Sequence, residues 1–87
     1  MKIKKGVSWS KTEEGLMVIH PVNDQCLVLN PSGEIIWNVL LDCESYDQLV
    51  EKICNDYEPN QHEIIKADIK ELLKLLKDND YIEGELP

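Results

Sequence analysis

An α+β fold, a three-stranded antiparallel sheet followed by three helices, is what this sequence predicts. Three features carry that prediction. Between Val7 and Leu29, short apolar or alternating segments are separated by tight-turn residues, the pattern of a strand meander. At Asn30-Pro31 the third segment stops and a helical pattern starts. Beyond Cys43, two further segments open on capping patterns and place apolar residues at helical spacing.

Taken in order, Val7-Ser8-Trp9-Ser10 alternates apolar and polar, as a half-buried strand does. Glu14-Gly15 turns the chain, and Leu16-Met17-Val18-Ile19 forms the second strand, ending near Pro21. Asn23 and Asp24 tolerate positive φ and supply the next turn. Gln25 to Leu29 is the third strand, with Leu27 and Leu29 on one face and Cys26 and Val28 on the other. Asn30 caps the first helix, and Pro31 takes its first position, where a missing N–H costs nothing. That helix is expected to reach Leu41, with Ile36, Val39 and Leu40 at helical spacing and Trp37 alongside. Ser45-x-x-Gln48 is a capping box for the second helix, whose apolar stripe is Leu49, Val50, Ile53, Cys54 and Tyr57. After Pro59, Asn60-x-x-Glu63 is expected to cap the third helix in the same way. This longest helix runs to about Asp78, with Ile65, Ile69, Leu72, Leu73 and Leu76 inward. Tyr81-Ile82 then folds back onto the core before a polar tail at Gly84-Glu85.

The 87 residues allow one domain over 1–87, with an ordered core at about 7–83 and no linker long enough to divide it. No run of about eighteen apolar residues spans a membrane, and the basic start Met1 to Gly6 lacks the apolar stretch of a signal peptide. The cytoplasm is the expected compartment. Cys26, Cys43 and Cys54 form an odd set without Cys-x-x-Cys spacing, which fits reduced, buried packing residues. Seventeen acids stand against nine lysines and no arginine, for a net charge of −8. Such a surface repels phosphate backbones and lacks the bidentate reader of guanine and phosphate, so nucleic acid is a poor partner.

Helices on one side of a small sheet leave strand edges open, and an exposed edge is normally blunted by charge or proline. The first strand is flanked by Lys5, Lys11, Glu13 and Glu14; the third carries no charge between Asp24 and Glu34. An apolar, uncharged edge is what an extended peptide needs to add itself as another strand. Cover by the long helix or the chain's own tail is the alternative. On the long helix, Ile64, Asp68, Glu71 and Leu75 form a second stripe beside the core face, as the far wall of a groove would. On its own chemistry, Asp68 reads first as a solvated helix acid.

The strand-to-helix corner Leu27-Val28-Leu29-Asn30-Pro31-Ser32-Gly33-Glu34-Ile35-Ile36-Trp37, followed by Asp68-Ile69 with Leu72, Leu73 and Leu76, resembles the PqqD family over residues 7 to 83. These small proteins are also called RiPP recognition elements. The resemblance implies a winged helix-turn-helix-like fold that binds the leader segment of a ribosomally made precursor peptide. It implies that the leader pairs antiparallel with the third strand, in the groove beside the third helix. Asp68 stands at the position of the family's aspartate. The residues so placed are Gln25, Cys26, Leu27, Val28, Leu29, Ile64, Asp68, Glu71, Leu72 and Leu75. The implied partner is a modifying enzyme, either a radical SAM enzyme or the leader peptidase and cyclase of lasso-peptide systems. Gln25-Cys26 stands where aromatics are common in the family, and Asn79-Asp80-Tyr81-Ile82 replaces a frequent Gly-Leu ending.

Other readings of the same residues are weaker. Three strands and three helices also describe a winged-helix transcription regulator, with the third helix and its stripe Lys66, Lys70, Lys74 and Lys77 as recognition element. The lack of arginine and the net charge count against it. That lysine stripe is a solvated face or a docking face for an acidic surface. From Glu34 to Glu58, conversely, seven acids face only Lys52. Cys54 and His62 are eight residues apart with no second pair to complete a metal site, and no nucleophile has a base that spacing can assign. Neither catalysis, metal nor cofactor is expected, and the chain should be a monomer or a weak dimer.

Overall fold

The computed structural model describes residues 1–84. Its elements are β1 (Lys2–Ile3), β2 (Ser8–Thr12), β3 (Gly15–Ile19), β4 (Cys26–Leu29), α1 (Pro31–Leu40), α2 (Tyr46–Cys54), a 3-10 turn (Pro59–Gln61), α3 (His62–Asp78) and β5 (Ile82–Glu83). Strands β2, β3 and β4 form an antiparallel meander in that order, so β2 and β4 are its two borders. Leu16 pairs with Leu29 and Lys11, Val18 with Leu27 and Trp9. The fold class is thus α+β, as the turn and capping pattern predicted.

Local chemistry explains the corners. Gly15 closes the β2–β3 turn at φ +142°, and a Cβ there would lie 2.2 Å from the Leu29 carbonyl oxygen, so only glycine fits. Asp24 takes φ +57° in the next turn, where Asn23 Oδ1 accepts the Gln25 N–H at 2.9 Å. Asn30 caps α1 by accepting the Gly33 N–H at 2.8 Å. Ser45 Oγ accepts the Gln48 N–H at 3.2 Å, while the Gln48 side chain accepts the Glu44 N–H.

The core lies between one face of the meander and the three helices. Leu16, Val18 and Leu29 meet Ile36, Trp37 and Leu40 of α1, Leu49 and Ile53 of α2, and Ile69, Leu72, Leu73 and Leu76 of α3. Trp37 is fully buried, and Trp9 packs edge-on against it at 5.5 Å between ring centroids. Tyr81 and Ile82 are buried as the fold-back predicted.

Several details differ from the sequence reading. Asn60 does not cap α3: the chain makes a 3-10 turn from Pro59, and the cap residue is Gln61, without a side-chain bond. Proline at the start of that turn imposes helical φ two residues early, which displaces the expected box. Tyr57 lies beyond the end of α2 and is exposed, so it leaves the apolar stripe. Cys26 is exposed, unlike the buried Cys43 and Cys54. The start of the chain is structured as well, since Lys2–Ile3 pairs with Ile82–Glu83 in a second small sheet. Of the expected tail, Glu85 lies outside the described residues.

Candidate functional site

The ladder's alternation sets what β4 offers. In antiparallel pairs, facing residues alternate between exchanging hydrogen bonds and turning their polar groups away. The His20 N–H donates to the Gln25 carbonyl at 2.8 Å, which makes His20–Gln25 a bonded pair. Counting along the register, Leu27 and Leu29 then bond to β3, and the N–H and C=O of Cys26 and Val28 point outward. Among the described residues, no other strand borders β4 on that side.

Across from this border stands α3, and between them lies a groove of about 320 Å³. Six of the expected residues line it together: Val28, Leu29, Asp68, Glu71, Leu72 and Leu75. Val28 is 50% exposed and Leu75 43%: Val28 borders the groove from the outer face of the sheet, and Leu75 lines it from α3. Cys26 and Leu27 belong to the same strand but do not line the groove. Ile64 is 68% exposed and also stands outside it.

Gln25 has a different position from the one expected of it. Its carbonyl accepts both the His20 N–H and the Tyr81 hydroxyl, and its side-chain amide donates to Asn79 Oδ1 at 3.2 Å. These bonds tie β4 to the end of α3 and close one end of the groove. Behind them, His20 Nδ1 accepts the Val22 N–H at 3.1 Å, and its Nε2 meets Asp80 Oδ2 at 3.3 Å. Lys4 reaches the same carboxylate at 3.1 Å. Hydrogen bonding from Lys4, then from His20, holds the Asp80 carboxyl below its ordinary value.

Sequence reasoning missed the α1 side of the groove: Asn30, Ser32, Gly33 and Ile36 complete the lining. The signal was present at Asn30-Pro31, because a corner of two residues leaves the first turn of α1 against the end of β4. Gly33 permits that approach, since a Cβ there would lie 3.3 Å from both Asn30 Oδ1 and Leu29 Cβ.

The Cys54–His62 spacing has a structural role in this fold. His62 Nε2 lies 2.9 Å from the Cys54 carbonyl and 3.2 Å from that of Tyr57, so the imidazole caps the C-terminal end of α2. Among the described residues, no helix is long and apolar enough to cross a membrane.

The sequence matches the family described as Coenzyme PQQ synthesis protein D over residues 15–82. The chain belongs to the PqqD family. No curated protein matches it. Two solved structures share the PqqD-like fold of this chain. One is TbiB1 in complex with the TbiA(beta) leader peptide, at a TM-score of 0.82 and 22% identity, covering 100% of both chains. The other is a lasso peptide synthetase B1 complexed with the leader peptide, at 0.73 and 23%, covering 90% of this chain and 91% of that one.

Proposed function

We propose that this PqqD-family chain captures the leader segment of a ribosomally made precursor peptide and presents it to a modifying enzyme. The leader adds as a strand to β4, with alternate side chains entering the groove beside α3. The observation that carries the reading is the outward direction of the Cys26 and Val28 backbone groups along an uncharged border facing an open groove. Both structural neighbours were solved with leader peptides, which supports it.

The magnitudes require both parts of the site. Two outward N–H and two outward C=O groups give about 4 kcal/mol at ~1 kcal/mol net per bond. Micromolar affinity takes about 8 kcal/mol, after the cost of ordering the peptide. Burying two leader side chains in the groove at ~1.5–3 kcal/mol each closes the difference. The border thus holds any extended chain, and the groove selects among them. Holding the leader raises the effective concentration of the attached core segment at the enzyme. The lasso peptide synthetase B1 neighbour favours a leader peptidase and cyclase over a radical SAM enzyme as that partner.

Calorimetry with the leader of a cognate precursor peptide tests the reading. The expected result is saturable one-to-one binding at or below about micromolar Kd, lost in Val28→Pro, which lacks an outward donor. Failure of the parent protein to saturate, or full affinity in Val28→Pro, would overturn it.

A further inference from the structure

We infer that the segment taken up at β4 carries a lysine or arginine at the position directly across from Leu29. This rests on the strand-addition reading and goes further, because it names the side chain that the groove selects.

Side chains of directly facing residues in neighbouring strands point to the same side of the sheet, whichever way the added strand runs. A residue across from Val28 or Cys26 therefore lies on the outer sheet face, beside Met17 and Ile19, which pair with them in the register. A residue across from Leu29 points to the helix side, as Leu29 itself does. Gln25 and Asn79, joined by their side chains, fix the relative level of β4 and α3. Four strand residues rise about 13 Å, a distance α3 covers in about nine residues. Leu29 is thus level with the stretch of α3 near residue 70, and its partners across the groove are Asp68, Glu71 and Leu72.

The chemistry at that level is divided. Leu29, Ile36 and Leu72 supply an apolar floor. Asp68 and Glu71, three residues apart on one face of α3, supply two exposed carboxylates at its rim. Neither has a salt bridge among the described residues. At about 100° per residue, Lys70 points away from that face, and Lys74, one turn after Glu71, makes no salt bridge with it among the described residues. Lys66 reaches Glu63 instead, and Lys77 reaches the Gly84 carbonyl. An aliphatic side chain would cover the floor but strip water from two carboxylates without replacing it. A lysine or arginine lays its methylenes on the floor and places its charged end at the rim. Two independent features meet here: outward backbone groups that fix the strand's level, and unpaired carboxylates at that level. The net charge of −8 also draws a basic segment toward the domain.

A displayed library of random ten-residue peptides, selected on the purified full chain, tests the inference. The parent protein should enrich Lys or Arg at one fixed position, flanked on both sides by apolar residues that lie on the outer face. Selection on Asp68→Lys/Glu71→Lys should replace that basic residue with Asp or Glu at the same position. Asp68→Asn/Glu71→Gln should bind the enriched basic peptide about tenfold more weakly, with a shallower dependence on salt. Binders without a basic preference, or an unchanged preference in the charge-reversed variant, would overturn the inference and leave strand addition standing. No enrichment of any peptide would overturn both.

Discussion

The Tyr81 hydroxyl donates to the Gln25 carbonyl at 2.6 Å and so joins the residue before β5 to the residue before β4. The same carbonyl accepts the His20 N–H. With the Gln25–Asn79 contact, these bonds pin the two walls of the groove together at one end. At the other end, near Ile64, no such bond joins them among the described residues. The groove is hinged by its own hydrogen bonds where β4 begins and open where β4 ends.

Tyr81→Phe keeps the buried ring and removes only the hydroxyl. The Gln25 carbonyl still has His20, so no buried acceptor is left alone, and the expected loss is ~1 kcal/mol. Urea unfolding should show a lower midpoint at unchanged slope. Peptide affinity should fall by a few-fold, because the pinned end loosens.

Proline at two adjacent positions of β4 should have opposite consequences. Val28 turns its N–H outward, so Val28→Pro costs the fold no ladder bond and should leave helical circular dichroism and the urea midpoint near the parent values. Leu27 bonds to β3 and faces the core, so Leu27→Pro removes a ladder bond and should cost about 2–4 kcal/mol. If Val28→Pro unfolds the protein and Leu27→Pro does not, the alternation assigned to β4 is reversed.

The local chemistry of these elements explains how far the sequence could be read. The meander followed from Gly15, Asn23 and Asp24, residues whose backbone preferences act over two or three positions. The three helices followed from caps and spacing, which are equally local, and the same spacing put Asp68, Glu71 and Leu75 on one face. What escaped depends on contacts between distant segments. The pairing of Lys2–Ile3 with Ile82–Glu83 joins the two ends of the chain, and two-residue strands leave no periodicity to detect. Gln25 had the composition of a groove residue, but its bonds to Asn79 and Tyr81 reach across more than fifty positions. The α1 side of the groove was hidden for a related reason. Asn30 was legible as a cap, yet its contact with the space in front of Leu72, like that of Gly33, is set by how α3 returns over the sheet.

Gly15→Ala should disturb β4 from the neighbouring strand. The new Cβ would meet the Leu29 carbonyl oxygen, and φ +142° strains any L side chain. The expected destabilisation is about 2–3 kcal/mol. Because the clash is with Leu29, peptide affinity should drop as well, even at temperatures where the variant remains folded. Thermal unfolding and calorimetry on the same preparation separate the two effects.

The acid limb of the stability curve should depend on Asp80. Lys4 and His20 hold its carboxyl below the ordinary value of 3.8, so the folded state binds its proton less readily than the unfolded chain does. Stability from this group is fully present above that value and is lost as pH falls through the lower folded value. Asp80→Asn removes the contribution. The variant should melt below the parent near neutral pH, and the two midpoints should converge as pH is lowered toward about 2. Tyr81 acts in the opposite range: burial raises its phenol above 10.0, so its contribution is present below that value and disappears as pH climbs through the folded value. A parent and an Asp80→Asn variant whose midpoints stay equally far apart from neutral to acid pH would show that the Lys4–Asp80–His20 contact does not favour the charged carboxylate.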